Sequence, residues 1–67
     1  MFGQNVQRER KKQGKSCEEL GRECECTGKM IDHIEKGIRQ PSFALVVSIA
    51  EALGCTIDEL VYGKKTG

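Results

Sequence analysis

The side chains best suited to chemistry in this chain are four cysteines and a single histidine: Cys17, Cys24, Cys26, Cys55 and His33. Thiols and imidazole bind zinc, form disulfides or act as nucleophiles, and spacing decides among these. Structural zinc sites present C-x2–4-C pairs with a second matching pair. Here only Glu25 separates Cys24 from Cys26, and Cys17 and Cys55 have no near neighbour of their kind. No metal and no cofactor are therefore expected. Cys17 and Cys24 stand seven residues apart, on one face of a helix, where a free thiol behaves as a small hydrophobe. A redox role would require Cys17 or Cys26 to be exposed near a helix N-terminus, where a lowered pKa would let oxidation switch binding. Catalysis is not expected. There is no Ser/His/Asp set, no Gly-rich phosphate loop after a strand, and too little chain to enclose a pocket.

The positioning elements must come from one small domain, since the chain has 67 residues. A core of this size supplies roughly 3–5 kcal/mol, so partner binding or dimerisation is expected to add to it. The apolar run Ala44–Val47 is far too short to span a membrane. The opening residues lack the apolar stretch of a signal peptide. A cytoplasmic location without a membrane partner is the expectation. The net charge is only +1. Basic residues nevertheless gather early, at Arg8, Arg10, Lys11, Lys12 and Lys15, followed by Glu18, Glu19, Glu23, Glu25 and Asp32. The basic group could track phosphates on one face, or simply form part of a solvated mixed-charge surface.

Periodicity and caps predict five helices and no strand. The first runs from about Phe2 to Gln13, with Gly14 as its stop. The second runs from Cys17 to about Cys24, opened by a Ser16–Glu19 capping box. The third runs from Gly28 to about Lys36, with Thr27 as N-cap and Gly37 as stop. The fourth starts after Ser42 and ends at Gly54, with Phe43, Val46, Val47, Ile49, Ala50 and Leu53 on an apolar face. The fifth is a short helix, Ile57 to Val61, behind a Thr56–Glu59 capping box, with Ile57, Leu60 and Val61 turned to the core. A helix-turn-helix domain is expected over residues 1–62, and a flexible tail over 63–67.

The stretch Ser16–Gly37 reads as two short helices joined by a tight break, with Leu20, Cys24, Cys26, Ile31 and Ile34 as its apolar positions. The second helix of such a unit can stand proud of the surface and fit the DNA major groove. Sequence-specific DNA binding is thus the first functional reading.

Five pieces in order sharpen it: Val6 with Arg10; Gly14 and Ser16 through Leu20; Ile31 with Ile34-Glu35-Lys36-Gly37; Arg39-Gln40-Pro41-Ser42; and Ile49 through Gly54 followed by Ile57-Asp58-Glu59-Leu60. Together they resemble the phage-repressor-like, Cro/cI-type (XRE) helix-turn-helix family, over about Phe2 to Val61. The resemblance implies an all-α, compact five-helix lambda-repressor-like domain. It implies a buried ion pair between Arg10 and Glu35, and a DNA-reading third helix with Gly28, Lys29, Asp32 and His33 exposed and Lys36 near its end. Lys29 would donate to guanine O6 or N7, and His33 would do the same or touch a phosphate. Thr27, Arg39 and Gln40 would hold the sugar-phosphate backbone. A transcriptional regulator, a repressor acting as a homodimer on double-stranded DNA, follows, with Val47, Val61 and Tyr62 as candidate dimer residues.

The chain also departs from that family. Cys17 stands where a phosphate-binding Gln is usual, Glu25 where the turn has Gly, and Gly21 where Ala is usual. A positive φ at Glu25 would be strained. Asp32 repels phosphates but can accept from cytosine N4. These departures and the low net charge fit a second reading, a helix-turn-helix domain turned to protein binding, with weak or no DNA affinity.

Overall fold

The computed structural model describes residues 2–63. It contains α1 (Phe2–Lys12), α2 (Cys17–Glu23), α3 (Gly28–Glu35), α4 (Phe43–Leu53) and α5 (Ile57–Tyr62), with no strand among the described residues. The expected tail is only partly testable. Gly63 is placed, and closes α5 as its left-handed cap at φ 75°. Residues 64–67 lie outside the described residues.

Local chemistry sets the helix starts. The hydroxyls of Ser16, Thr27, Ser42 and Thr56 each accept the amide three residues on, at 3.0 to 3.2 Å. At Ser16 and Thr56 the bond is reciprocated by Glu19 and Glu59, which completes both capping boxes. The first four helices end alike. In each, a residue in left-handed geometry is followed by an amide bonded back five residues: Lys15 to Arg10, Cys26 to Gly21, Ile38 to His33 and Cys55 to Ala50. Gly14, Gly37 and Gly54 fill that left-handed position after α1, α3 and α4. After α2 it falls to Glu25, at φ 58°.

Val6, Leu20, Ile31, Ile34, Ile49 and Leu60 are fully buried and meet at the centre, with Cys24, Ala50 and Leu53 around them. α2 packs most extensively on α3, while α1 lies across α3, α4 and α5. Buried polar groups tie distant segments. Asn5 Nδ2 donates to the Leu60 carbonyl at 2.7 Å, joining α1 to α5. Gln13 Nε2 donates to the Leu53 carbonyl at 2.6 Å and Lys15 Nζ to that of Ala52 at 2.9 Å. These two donors satisfy carbonyls that the end of α4 would otherwise leave without a partner.

Two apolar assignments are corrected. Phe43, expected on the inner face of α4, is 75% exposed: the first turn of α4 packs on the core through Leu45, and Phe43, two residues before it, falls on the opposite side of the helix. Val61, expected to turn inward, is 43% exposed; α5 lasts only six residues, and Leu60 alone is fully inserted. Among the described residues, no helix is long and apolar enough to cross a membrane.

Candidate nucleic-acid interface

α3 presents its two sides very differently. Ile31, Ile34 and Glu35 face inward and are buried. Lys29 and Lys36 stand outward and exposed, and Asp32 and His33 are half-buried between them. Lys36 Nζ lies 3.1 Å from Asp32 Oδ2, one turn back on the same face. The Asp32 charge is thus matched locally rather than aimed outward alone. Among the described residues, Lys29 and Arg39 form no ion pair.

The turn before α3 shows how tightly the unit closes. Glu25 takes the left-handed conformation that a non-glycine residue adopts only at a cost of about 1–2 kcal/mol. Its side chain is exposed. Thr27 is exposed as well, with its hydroxyl oxygen already accepting the Met30 amide at 3.1 Å, so the proton remains for an outside acceptor.

Gly28 requires a correction. The expectation set it among the exposed positions of α3, yet it is half-buried and turned toward α2. A methyl group on it would lie 2.8 Å from Glu18 Cγ and 3.0 Å from Glu18 Cα. Gly21 answers from α2, where a methyl would lie 2.7 Å from the Thr27 carbonyl carbon. The Ala usual at this position would not fit without movement, so the glycine is a packing requirement as well as a propensity cost.

Arg10 and Glu35 meet as a two-pronged pair: Arg10 Nε donates to Glu35 Oε2 at 2.6 Å and Arg10 Nη2 to Oε1 at 3.0 Å. Arg10 Nη1 also donates to the Lys15 carbonyl at 2.8 Å, so one guanidinium joins α1, the α1–α2 turn and the end of α3. The hydrogen bonds that Arg10 donates to the Glu35 carboxylate hold the Arg10 pKa above its ordinary value. Arg39 and Gln40 follow α3 in the loop before α4 and are both exposed. Both line an open groove of about 430 Å³ together with Phe2, Pro41, Val46 and Val61. Of the expected residues, Lys29, Asp32, His33 and Lys36 therefore share the outer side of α3, Thr27 precedes it, Arg39 and Gln40 flank it, and Gly28 belongs to the α2 contact.

Cys17, Cys24 and Cys26 lie within this unit, and Cys55 lies between α4 and α5. Cys24 is buried, and Cys17, Cys26 and Cys55 pack half-buried against the core. Burial pushes the Cys24 thiol up to about 11. Burial raises Cys26 and Cys55 too, and raises Cys17 with help from the neighbouring Glu35 carboxylate. Cys17 does sit at the start of α2, but burial and that carboxylate outweigh the helix terminus. These thiols are protonated near neutral pH, the opposite of an activated sensor. Among the described residues, no three His, Cys, Asp or Glu side chains form a group that could hold a metal ion.

Sequence reasoning missed one exposed apolar residue beside α3: Ile38, directly after that helix, is 64% exposed. Tyr62, a candidate for the contact between copies, is 73% exposed at the end of α5. The Gly37 stop is the available signal, since Ile38 follows it and lies in the loop outside both helices.

Comparison with known proteins agrees with this geometry. No curated protein and no solved structure gives a significant match. A sequence model described as helix-turn-helix matches residues 6–60, from the second turn of α1 to the core leucine of α5. By that match and by its five-helix architecture, the chain belongs to the helix-turn-helix family of the Cro/cI type, a family of DNA-binding regulatory domains.

Proposed function

We propose that this protein is a sequence-specific transcriptional regulator that reads the major groove with α3, acting as a repressor and as a homodimer. The carrying observation is the outward, unpaired Lys29 on a helix whose own acidic residue, Asp32, is held by Lys36. An approaching phosphate backbone therefore meets Lys29 and Arg39 as unmatched positive charges. In this reading Lys29 donates to guanine and His33 to a neighbouring base or phosphate. Thr27, Arg39, Gln40 and Lys36 hold the backbone and fix register. Asp32 orients Lys36, and Gly28 acts by packing. Val47, Val61 and Tyr62 are candidates for the contact between copies, and the same reading puts the protein in the cytoplasm.

Selection from random duplexes, followed by a salt titration on the enriched sequence, tests the reading. An enriched pseudo-palindrome with half-sites about 34–36 Å apart supports it; recovery of unenriched sequence rejects it. The second reading, protein binding on a helix-turn-helix scaffold, is favoured by one observation: Ile38, Phe43 and Tyr62 are large, apolar and exposed. A duplex-independent partner competing for that surface would support it.

A further inference from the structure

We infer that Gly3 and Gly28 are positioning residues that fix how far α3 stands out from the domain, and with it which bases Lys29 meets; this rests on α3 being the reading helix. The two glycines sit at opposite ends of that helix. At the N-terminal end, a methyl on Gly28 would lie 2.8 Å from Glu18 Cγ and 3.0 Å from both Glu18 Cα and Glu18 N. At the C-terminal end, a methyl on Gly3 would lie 2.5 Å from the Ile34 carbonyl oxygen and 2.7 Å from that of Glu35. Carbon atoms do not approach so closely. Both obstacles are backbone: the first turn of α2 in one case, the last turn of α3 itself in the other. A rotamer change can move Glu18 Cγ, but not Glu18 Cα or the two carbonyls.

Each end of α3 is therefore seated on a neighbouring helix with no side chain between, α2 at Gly28 and α1 at Gly3. The Arg10–Glu35 pair ties the same C-terminal end to α1, about two turns beyond Gly3. Reaching ordinary contact at about 3.4 Å needs α3 and the helix facing it to separate by roughly 0.5–1 Å at whichever end carries the added methyl. Recognition geometry tolerates about 0.5 Å, so such a shift moves Lys29 off its partner atoms even while the fold survives. A merely structural glycine would change how much protein is folded. A positioning glycine changes which sequence the folded protein prefers.

The test selects from random duplexes with the wild-type chain, Gly28→Ala, Gly3→Ala and, as reference, Lys29→Ala, with folding of each followed by circular dichroism at low temperature. Selection reads only molecules that bind, so a reduced folded fraction leaves the preference unchanged. The expected result is that each of Gly28→Ala and Gly3→Ala that folds loses about tenfold or more in discrimination at the positions that Lys29→Ala also relaxes. A folded variant whose preference stays within about twofold of wild type at every position overturns the inference. So does failure of both variants to fold, since the contacts would then be conditions of folding alone. A wild-type chain that enriches no sequence instead overturns the DNA reading itself.

Discussion

Asp32 Oδ2 holds Lys36 Nζ at 3.1 Å across one turn of the outer side of α3, with both side chains substantially open to solvent. Such a pair contributes little to stability, about 0.3–0.5 kcal/mol. Its larger effect is electrostatic, because it cancels one positive charge on the surface that would meet phosphates. Asp32→Asn is expected to leave the melting temperature nearly unchanged, tighten DNA binding and steepen the slope of log affinity against log salt by up to about one unit. Fluorescence anisotropy across a salt series measures this. Weaker binding with a changed base preference would instead make Asp32 a reader of cytosine. Arg39→Ala should flatten the same slope by about one unit.

The Arg10–Glu35 pair behaves in the opposite way. It is shielded from solvent, and removal of one partner strands the other charge, which typically costs about 3–5 kcal/mol. That is comparable to the whole stability expected of so short a chain. Arg10→Met alone and Glu35→Gln alone should each be largely unfolded in urea titrations that leave the wild type intact. The double variant Arg10→Met/Glu35→Leu should recover most of the loss. Singles that melt within about 1 kcal/mol of wild type would contradict the account.

Glu25 stores strain that its own fold reveals. The equivalent left-handed position after α1, α3 and α4 is a glycine, and Glu25 stands alone in being one of the ordinary residues there. Glu25→Gly relieves about 1–2 kcal/mol of strain and loses part of that to the freer unfolded chain. The net gain is about 1 kcal/mol, a rise of about 4–8 °C in melting temperature for a domain of this size. A fall in melting temperature would mean that the Glu25 side chain contributes more than its backbone conformation costs.

These cases also separate what the chain discloses by itself from what only folding reveals. The helices and their ends are legible because their determinants are local: Ser16, Thr27, Ser42 and Thr56 each act on an amide three residues away, and Gly14, Gly37 and Gly54 act on the preceding turn. The strain at Glu25 is legible for the same reason. Arg10 with Glu35 is separated by 25 residues and emerges only through the family resemblance. Gly28 looks like an empty position on an exposed helix until the separation of α2 and α3 is known. Phe43 looks like core because α4 is apolar on most sides, and only the choice of Leu45 as the inward residue of its first turn leaves that ring outside. Gln13 and Lys15 give no sign that they satisfy carbonyls some 40 residues away.

The thiols yield a pH dependence. Cys24 ionises at about 11 in the folded chain against 9.0 for a free thiol, and Cys17, Cys26 and Cys55 are raised as well. The folded state thus retains protons that the unfolded state gives up. This stabilisation is fully present below about pH 9 and is lost as pH rises toward 11, by roughly 2–3 kcal/mol for Cys24 alone. Urea midpoints should fall through that window, and less steeply in Cys24→Ala. A midpoint indifferent to pH from 8 to 11 would contradict the burial of these groups. Thiol alkylation near neutral pH should correspondingly be slow, and adding reductant or chelator should leave the melting curve unchanged.

The claim on which the rest depends is that the outer side of α3 meets DNA. Amide chemical-shift mapping during titration with a selected duplex reads that directly, residue by residue. The expected result is that the largest changes fall at residues 27–36, with Lys29 and His33 foremost and Arg39 and Gln40 alongside. Shifts confined to the neighbourhood of Ile38, Phe43 and Tyr62, or none at any duplex concentration, would contradict it.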